Sequence, residues 1–147
     1  MLVALLALVG LFLSLYLTLY KLGYIVQLTC AVGSCERVQT SRWSMLFGIP
    51  VAVWGAGFYL TALGVSVLAT QTPPASSRGI IRLLTAMTGA GVLFSAYLTW
   101  LELFVIHAIC IYCVASAVVV TLMFALCVVE QTRPDPSSGP SPDLRPA

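Results

Sequence analysis

Charge is what this chain has least of. Only 8% of its 147 residues are charged and it holds a single histidine, whereas about a quarter of the residues of an ordinary soluble domain are charged. That scarcity excludes a conventional water-soluble globule. Seven Lys+Arg stand against five Asp+Glu for a net charge of +2, and no basic run occurs, so the electrostatic footprint of a nucleic-acid binder is missing too. With 60% hydrophobic residues, the main solvent of this chain is lipid, and its length suits one compact unit.

An ionisable group at the bilayer centre costs roughly 3 kcal/mol, so charge-free intervals mark the spans. Met1 to Tyr20 is uncharged up to Lys21, and Trp43 to Ser77 up to Arg78. Each interval covers the roughly 20 residues that cross about 30 Å of hydrocarbon. Ile80 to Glu130 is about 51 mostly apolar residues, roughly 76 Å as a single helix and more than twice the membrane core. It must fold back once, and its polar cluster of Glu102, His107, Cys110, Tyr112 and Cys113 sets the reversal near Ile106 to Ile109. The expectation is an all-α membrane protein, a four-transmembrane-helix bundle over 1–130. The first segment reads as a retained span, since it lacks a basic start and a small-residue cleavage site. Gln71 to Gly79 reads as a turn, and 131–147 as a disordered Pro-rich tail.

With four spans, the loop after span one and the reversal after span three share one membrane face. Both carry cysteine pairs, Cys30 with Cys35 and Cys110 with Cys113. Cys127 lies about 14 residues past Cys113, roughly 21 Å along a helix, and reads as an inert buried thiol. Arg78, Arg82, Arg133 and Arg145 on one face against Lys21, Arg37 and Arg42 on the other tilt the cysteines toward the outside. CIYC places two thiols one turn apart, close enough to bridge at a helix start, where free N–H groups and the dipole favour a Cys110 thiolate. CAVGSC closes a small ring with Gly33 for flexibility, an exposed disulfide on a mobile segment that exchanges easily. A redox relay between the two pairs is one reading. Two structural disulfides and a four-cysteine zinc site are the others.

Glu102 shares a helical face with Thr88, Ser95 and Thr99, directed at the bundle, and reads either as a proton-handling group or as a carboxylate reaching the interface. His107, three residues before Cys110, reads as a proton relay or a plain interfacial histidine. Ser14, Thr18 and Lys21 on span one, and Gly48, Ala52 and Gly55 on span two, read as packing lines. Trp43, Phe47, Trp54, Phe58, Tyr59, Phe94, Tyr97 and Tyr112 suit an apolar pocket for a ring-shaped acceptor or interfacial anchoring.

The order of these features resembles the vitamin K epoxide reductase family, especially its bacterial members. It is carried by Cys30 and Cys35, then Ser41-Arg42-Trp43, then CxxC opening the last span, with YLTLYKLG, LFGIPVAVWG and YLTWLELFVIHAICIYC. The resemblance covers most of residues 10 to 128. It implies a quinone-linked disulfide oxidoreductase of the bacterial inner membrane, without a fused thioredoxin domain, with the four cysteines on the extracytoplasmic side. It further implies a short surface helix in the first extracytoplasmic loop, over Glu36 to Ser44, that caps the pocket. Cys30 would meet a separate thioredoxin-like partner, Cys35 would exchange with Cys110, and Cys113 would pass electrons to a quinone of the menaquinone, ubiquinone or vitamin K type, with no metal. Ser41, Trp43, Phe58, Tyr59, Tyr97, Glu102, His107 and Tyr112 are the expected pocket residues. Pro50-Val51-Ala52 carries no amide where the vertebrate enzymes have an asparagine, which puts quinone ahead of epoxide as substrate. A membrane scaffold with two static disulfides is the non-enzymatic alternative.

Overall fold

The computed structural model describes residues 1–26, 30, 33–71 and 74–132. Within them, four helices are long and apolar enough to cross a membrane, over Leu2–Lys21, Val51–Gln71, Arg78–Ile106 and Ile111–Thr132, as the charge-free intervals predict. We label the elements α1 (Leu2–Lys21), α2 (Cys35–Thr40), a 3-10 turn (Arg42–Ser44), β1 (Met45–Leu46), β2 (Ile49–Pro50), α3 (Val51–Gln71), α4 (Pro74–Leu101), a π-turn (Glu102–Ile106) and α5 (Ile111–Thr132). The protein is therefore an all-α membrane bundle with a short helical cap.

Packing follows the logic of helices in lipid, where small side chains let backbones approach and large ones face the acyl chains. On α1 the buried residues are Ala7, Gly10, Ser14 and Leu17, spaced as one helical face, while Leu5, Phe12, Leu15 and Leu19 are exposed. Gly10 lies against the ring of Tyr59 on α3, and a Cβ at Gly55 would stand 3.1 Å from Ser14 Oγ. The Tyr59 hydroxyl donates to the Ser116 carbonyl of α5 at 2.9 Å and lies 2.8 Å from Ser116 Oγ. That satisfies a polar group in a setting with no water to do so.

Three sequence expectations are corrected. The Gln71–Gly79 turn is mostly helix: α3 runs through Gln71 and α4 begins at Pro74, because proline suits a first helical position, where its missing N–H has no partner to lose. Residues 72–73 lie outside the described residues. Gly48 does not belong to a packing line, since it sits with φ +80° in the turn of the β1–β2 hairpin with open space around it. Phe47 beside it, φ 54°, is 90% exposed. The loop disulfide is not an exposed one either: Cys35 opens α2 fully buried and Cys30 is half-buried. The tail expected over 131–147 falls outside the described residues beyond Thr132.

Candidate functional site

The site forms where the third span turns back into the fourth. α4 ends in a π-turn, and His107 caps it in the left-handed conformation (φ 52°, ψ 39°), its N–H bonding the Glu102 carbonyl. Ala108 N–H donates to the same carbonyl at 3.1 Å. The reversal thus spans His107 to Cys110, close to the expected place. It is tight enough that Glu102 folds back under the start of α5, where its Oε2 accepts the Cys110 N–H at 3.1 Å.

Cys110 sits as the N-cap of α5. Its carbonyl accepts from Val114 N–H at 3.0 Å, and its sulfur takes the place that a serine or aspartate oxygen usually fills. A hydrogen bond from the Cys113 thiol, first, and then the Cys113 and Tyr112 N–H groups draw the Cys110 thiol down to about 7, against burial and the nearby Glu102 charge. The N–H contribution is that expected of a helix start, while the largest lowering comes from the Cys113 thiol.

The first loop is stitched directly to this turn. Gly33 and Cys110 form an antiparallel bridge, and Ser34 N–H donates to the Ile109 carbonyl at 3.0 Å. Gly33 has φ +94°, and a Cβ there would overlap the Ile109 carbonyl oxygen, so this contact requires glycine. Cys30 and Cys35 are disulfide-bonded, whereas Cys110 and Cys113 are free thiols. All four belong to one cluster in which Cys35, Val38, Ala108 and Cys110 are the buried members. Cys127 is buried elsewhere, with Met123, Leu84 and Tyr59 in the other core cluster.

Beneath the cluster, the four spans and the cap enclose a cavity of about 450 Å³, within the size range of small-molecule sites. Its roof is Val38, Gln39, Ser41, Trp43 and Ser44. Lys21 holds that roof to α1 by donating to the Gln39 carbonyl and, at 2.8 Å, to Ser44 Oγ. The walls include Phe58, Tyr59, Gly91 and Phe94, and the reactive end presents Cys113, Glu102, Tyr112 and Ser116. Ser41, Trp43, Phe58, Tyr59, Glu102 and Tyr112 therefore line it, as the sequence suggests. Tyr97 and His107 do not: Tyr97 is 49% exposed on the far side of α4, and His107 is exposed on the reversal. Their helical or chain proximity to the cavity is undone by rotation of α4 and by the left-handed turn. Thr88 faces the bundle as expected, fully buried and within hydrogen-bonding reach of Cys127, but it does not line the cavity.

Sequence reasoning missed Lys21 as the tie of the roof and Gly33 as a contact point, reading the first as part of a packing line and the second as a flexible joint. No group of three or more potential metal ligands occurs among the described residues, and the reduced pair makes no zinc-like constellation with the bridged one. The model of the vitamin K epoxide reductase family matches residues 1–128. With four spans and paired cysteines at one end of the bundle, the chain belongs to the vitamin K epoxide reductase family and is a multi-pass membrane oxidoreductase of that type.

Proposed function

We propose that this protein is a quinone-dependent thiol oxidoreductase that supports disulfide formation in exported proteins, with 1–130 as its working unit. The family works with quinones and thioredoxin-like proteins, and the reading assigns each cysteine pair to one of them. One observation carries it. Of the four clustered cysteines only Cys113 lines the apolar cavity, while Cys110, one turn above, shares the buried cluster with Cys35. A relay needs this division between a thiol that meets the acceptor and one that meets the donor.

In the cycle, a thiolate of a thioredoxin-like partner attacks Cys30, opening the Cys30–Cys35 disulfide and releasing Cys35. The surface beside the bridge, an open polar depression with Ser34, Glu36, Arg37 and Thr40, offers room for that approach. Release of the oxidised partner leaves the loop as a dithiol. Cys35 then attacks Cys110 of an oxidised Cys110–Cys113 pair. Cys30 resolves the mixed disulfide, restoring the loop bridge and leaving two thiols in CxxC. A quinone in the cavity supplies a two-electron, two-proton sink. Cys113 gives up the electron pair as its bond to Cys110 re-forms, and the apolar walls with the Ser41–Ser44 roof keep bulk water from the exchange. The Cys113 thiol and the N-cap N–H groups keep Cys110 substantially thiolate near neutral pH, which makes it the better leaving group when Cys30 attacks Cys35 of the mixed disulfide. Orientation with the cysteines outside a bacterial inner membrane belongs to the same proposal, supported by the arginine count.

The test uses purified protein with two donors. Cys113→Ala should abolish quinone reduction with either donor. Cys30→Ala should spare reduction driven by dithiothreitol and block that driven by a thioredoxin-like dithiol. Wild-type activity of either variant with the protein donor, or of Cys113→Ala with dithiothreitol, would overturn the assignment.

A further inference from the structure

We propose that Glu102 is the proton acceptor of the cavity, taking the proton of the Cys113 thiol as that sulfur yields its electron pair and returning it to an oxygen of the reduced acceptor. The inference rests on the quinone reading above and adds a proton path to it. Glu102 is only 3% exposed. It lines the cavity together with Cys113 and is within hydrogen-bonding reach of the Cys113 thiol. Its Oε2 is fixed by the Cys110 N–H at 3.1 Å, so the carboxylate spans the two cysteines of the motif.

A structural role does not explain the carboxyl group. Capping one N–H needs an acceptor oxygen, which a glutamine of the same shape supplies without placing an ionisable group at membrane depth, where it is costly. Lysine, arginine and histidine are absent among the partners of Glu102 in the described residues; those partners are Cys110 and Cys113. The other titratable groups lining the cavity are Tyr59 and Tyr112. Tyr59 is engaged by Ser116, and the Tyr112 ring lies tilted at 45° against that of Tyr16, centroids 5.2 Å apart. His107 is exposed and outside the lining.

Two thiols lose two electrons and two protons and form the Cys110–Cys113 bond, while the quinone gains both electrons. The Cys113 proton passes to a Glu102 carboxylate oxygen and on to one quinone oxygen. The Cys110 proton leaves toward the aqueous rim, and the second quinone oxygen takes one from water.

The experiment compares full-length wild type, Glu102→Gln and Glu102→Asp. With a water-soluble short-chain quinone as probe, oxidation of the reduced CxxC should slow at least about 100-fold in Glu102→Gln, the usual scale for loss of a positioned acid–base group. Glu102→Asp should recover most of that rate, and exchange between CxxC and the loop pair should not fall with the quinone step in Glu102→Gln, because loss of the Glu102 charge favours the Cys110 thiolate. A second readout needs no quinone. In a Cys110→Ala background, alkylation of Cys113 with iodoacetamide expels a thiol proton, which should appear as a carboxylic-acid C=O band in the infrared difference spectrum and be missing with Glu102→Gln. A Glu102→Gln rate within threefold of wild type, or absence of the band in the parent protein, would overturn the proton path and leave the quinone reading standing. If wild type reduces no quinone, that earlier reading falls, and the infrared band alone decides the role of Glu102. Should Glu102→Gln fail to assemble, Glu102→Asp and the parent band carry the test.

Discussion

Gly33→Ala is the sharpest test of how the loop meets the CxxC turn. The perturbation is a single methyl group, far from any sulfur in chemical terms. It would nevertheless overlap the Ile109 carbonyl oxygen, at a backbone position with φ +94°. A side chain in the left-handed region costs about 1–2 kcal/mol. The overlap also forces the loop away, losing the Ser34 N–H bond to Ile109 at 3.0 Å, worth about 1 kcal/mol net. The sum, about 2–3 kcal/mol, lowers the population of the docked loop roughly 30- to 150-fold, since about 1.4 kcal/mol is a factor of ten. Rapid-mixing kinetics with a thioredoxin-like dithiol donor should show electron delivery to CxxC slowed by about that factor. Dithiothreitol, reaching CxxC without the loop, should drive quinone reduction at close to the wild-type rate. Wild-type speed with the protein donor would refute the claim that this one backbone contact docks the relay. Equal loss with both donors would mean that the methyl group damages the cavity instead.

Because the Cys110 thiol is drawn to about 7, the deprotonated form prevails above that pH. Transfer from reduced CxxC back to the loop disulfide should therefore rise with pH and level off just above neutrality. Cys113→Ala removes the largest cause of the depression, so formation of the trapped Cys110–Cys35 mixed disulfide should shift its midpoint upward. Lys21→Met removes both ties on the cavity roof, one of them the 2.8 Å bond to Ser44. Charge-assisted bonds of this kind are worth about 1.5–3 kcal/mol when shielded and less at a half-buried site, so the KM for quinone should rise about tenfold with kcat little changed in steady-state assays. Tyr59→Phe leaves the Ser116 hydroxyl without its 2.8 Å neighbour and should cost about 1 kcal/mol. Gly10→Ala drives a methyl group into the Tyr59 ring and should cost about 1–3 kcal/mol. Thermal unfolding in detergent would rank the two.

The spans and the reversal were legible because a charge in hydrocarbon is so costly that its absence is itself a signal, and because fold-back of Ile80–Glu130 follows from length alone. The pairing of the cysteine loops at one end followed from parity of the spans. What stayed hidden depends on contacts between segments distant in sequence. Lys21 closes the span-one charge gap and so looked like a boundary marker, yet its partners, Gln39 and Ser44, lie in a loop whose path no periodicity encodes. Gly33 offered only permissiveness, and nothing local announces that Ile109 will press against it. Tyr97 shows the limit of helical arithmetic. It lies on the same helix as Phe94 and Leu98, both of which line the cavity, but the stripe of cavity-facing residues on α4 passes it by.

In the proposed relay, the placement of one helical turn explains why two cysteines, and not one, would stand at its end. Cys110 precedes α5, outside the apolar spans, where backbone N–H groups can hold a thiolate and a loop can reach it. Cys113 lies one turn along, about 4.5 Å of rise, and opens into an apolar cavity. A single sulfur could not serve both settings: at the rim it would be cut off from a lipid-soluble acceptor, and in the cavity from a polar donor. Sulfur–sulfur exchange across i and i+3 would move the electron pair between the two environments without moving the backbone. On this view, inserting one alanine between Cys110 and Cys113 should be far more damaging than replacing Ile111 or Tyr112. The insertion rotates Cys113 by about 100° away from the cavity, and quinone reduction should be lost while the loop disulfide still exchanges with its donor. Retention of quinone reduction in the insertion variant would show that the cavity-facing register of Cys113 is not what links the thiols to the acceptor.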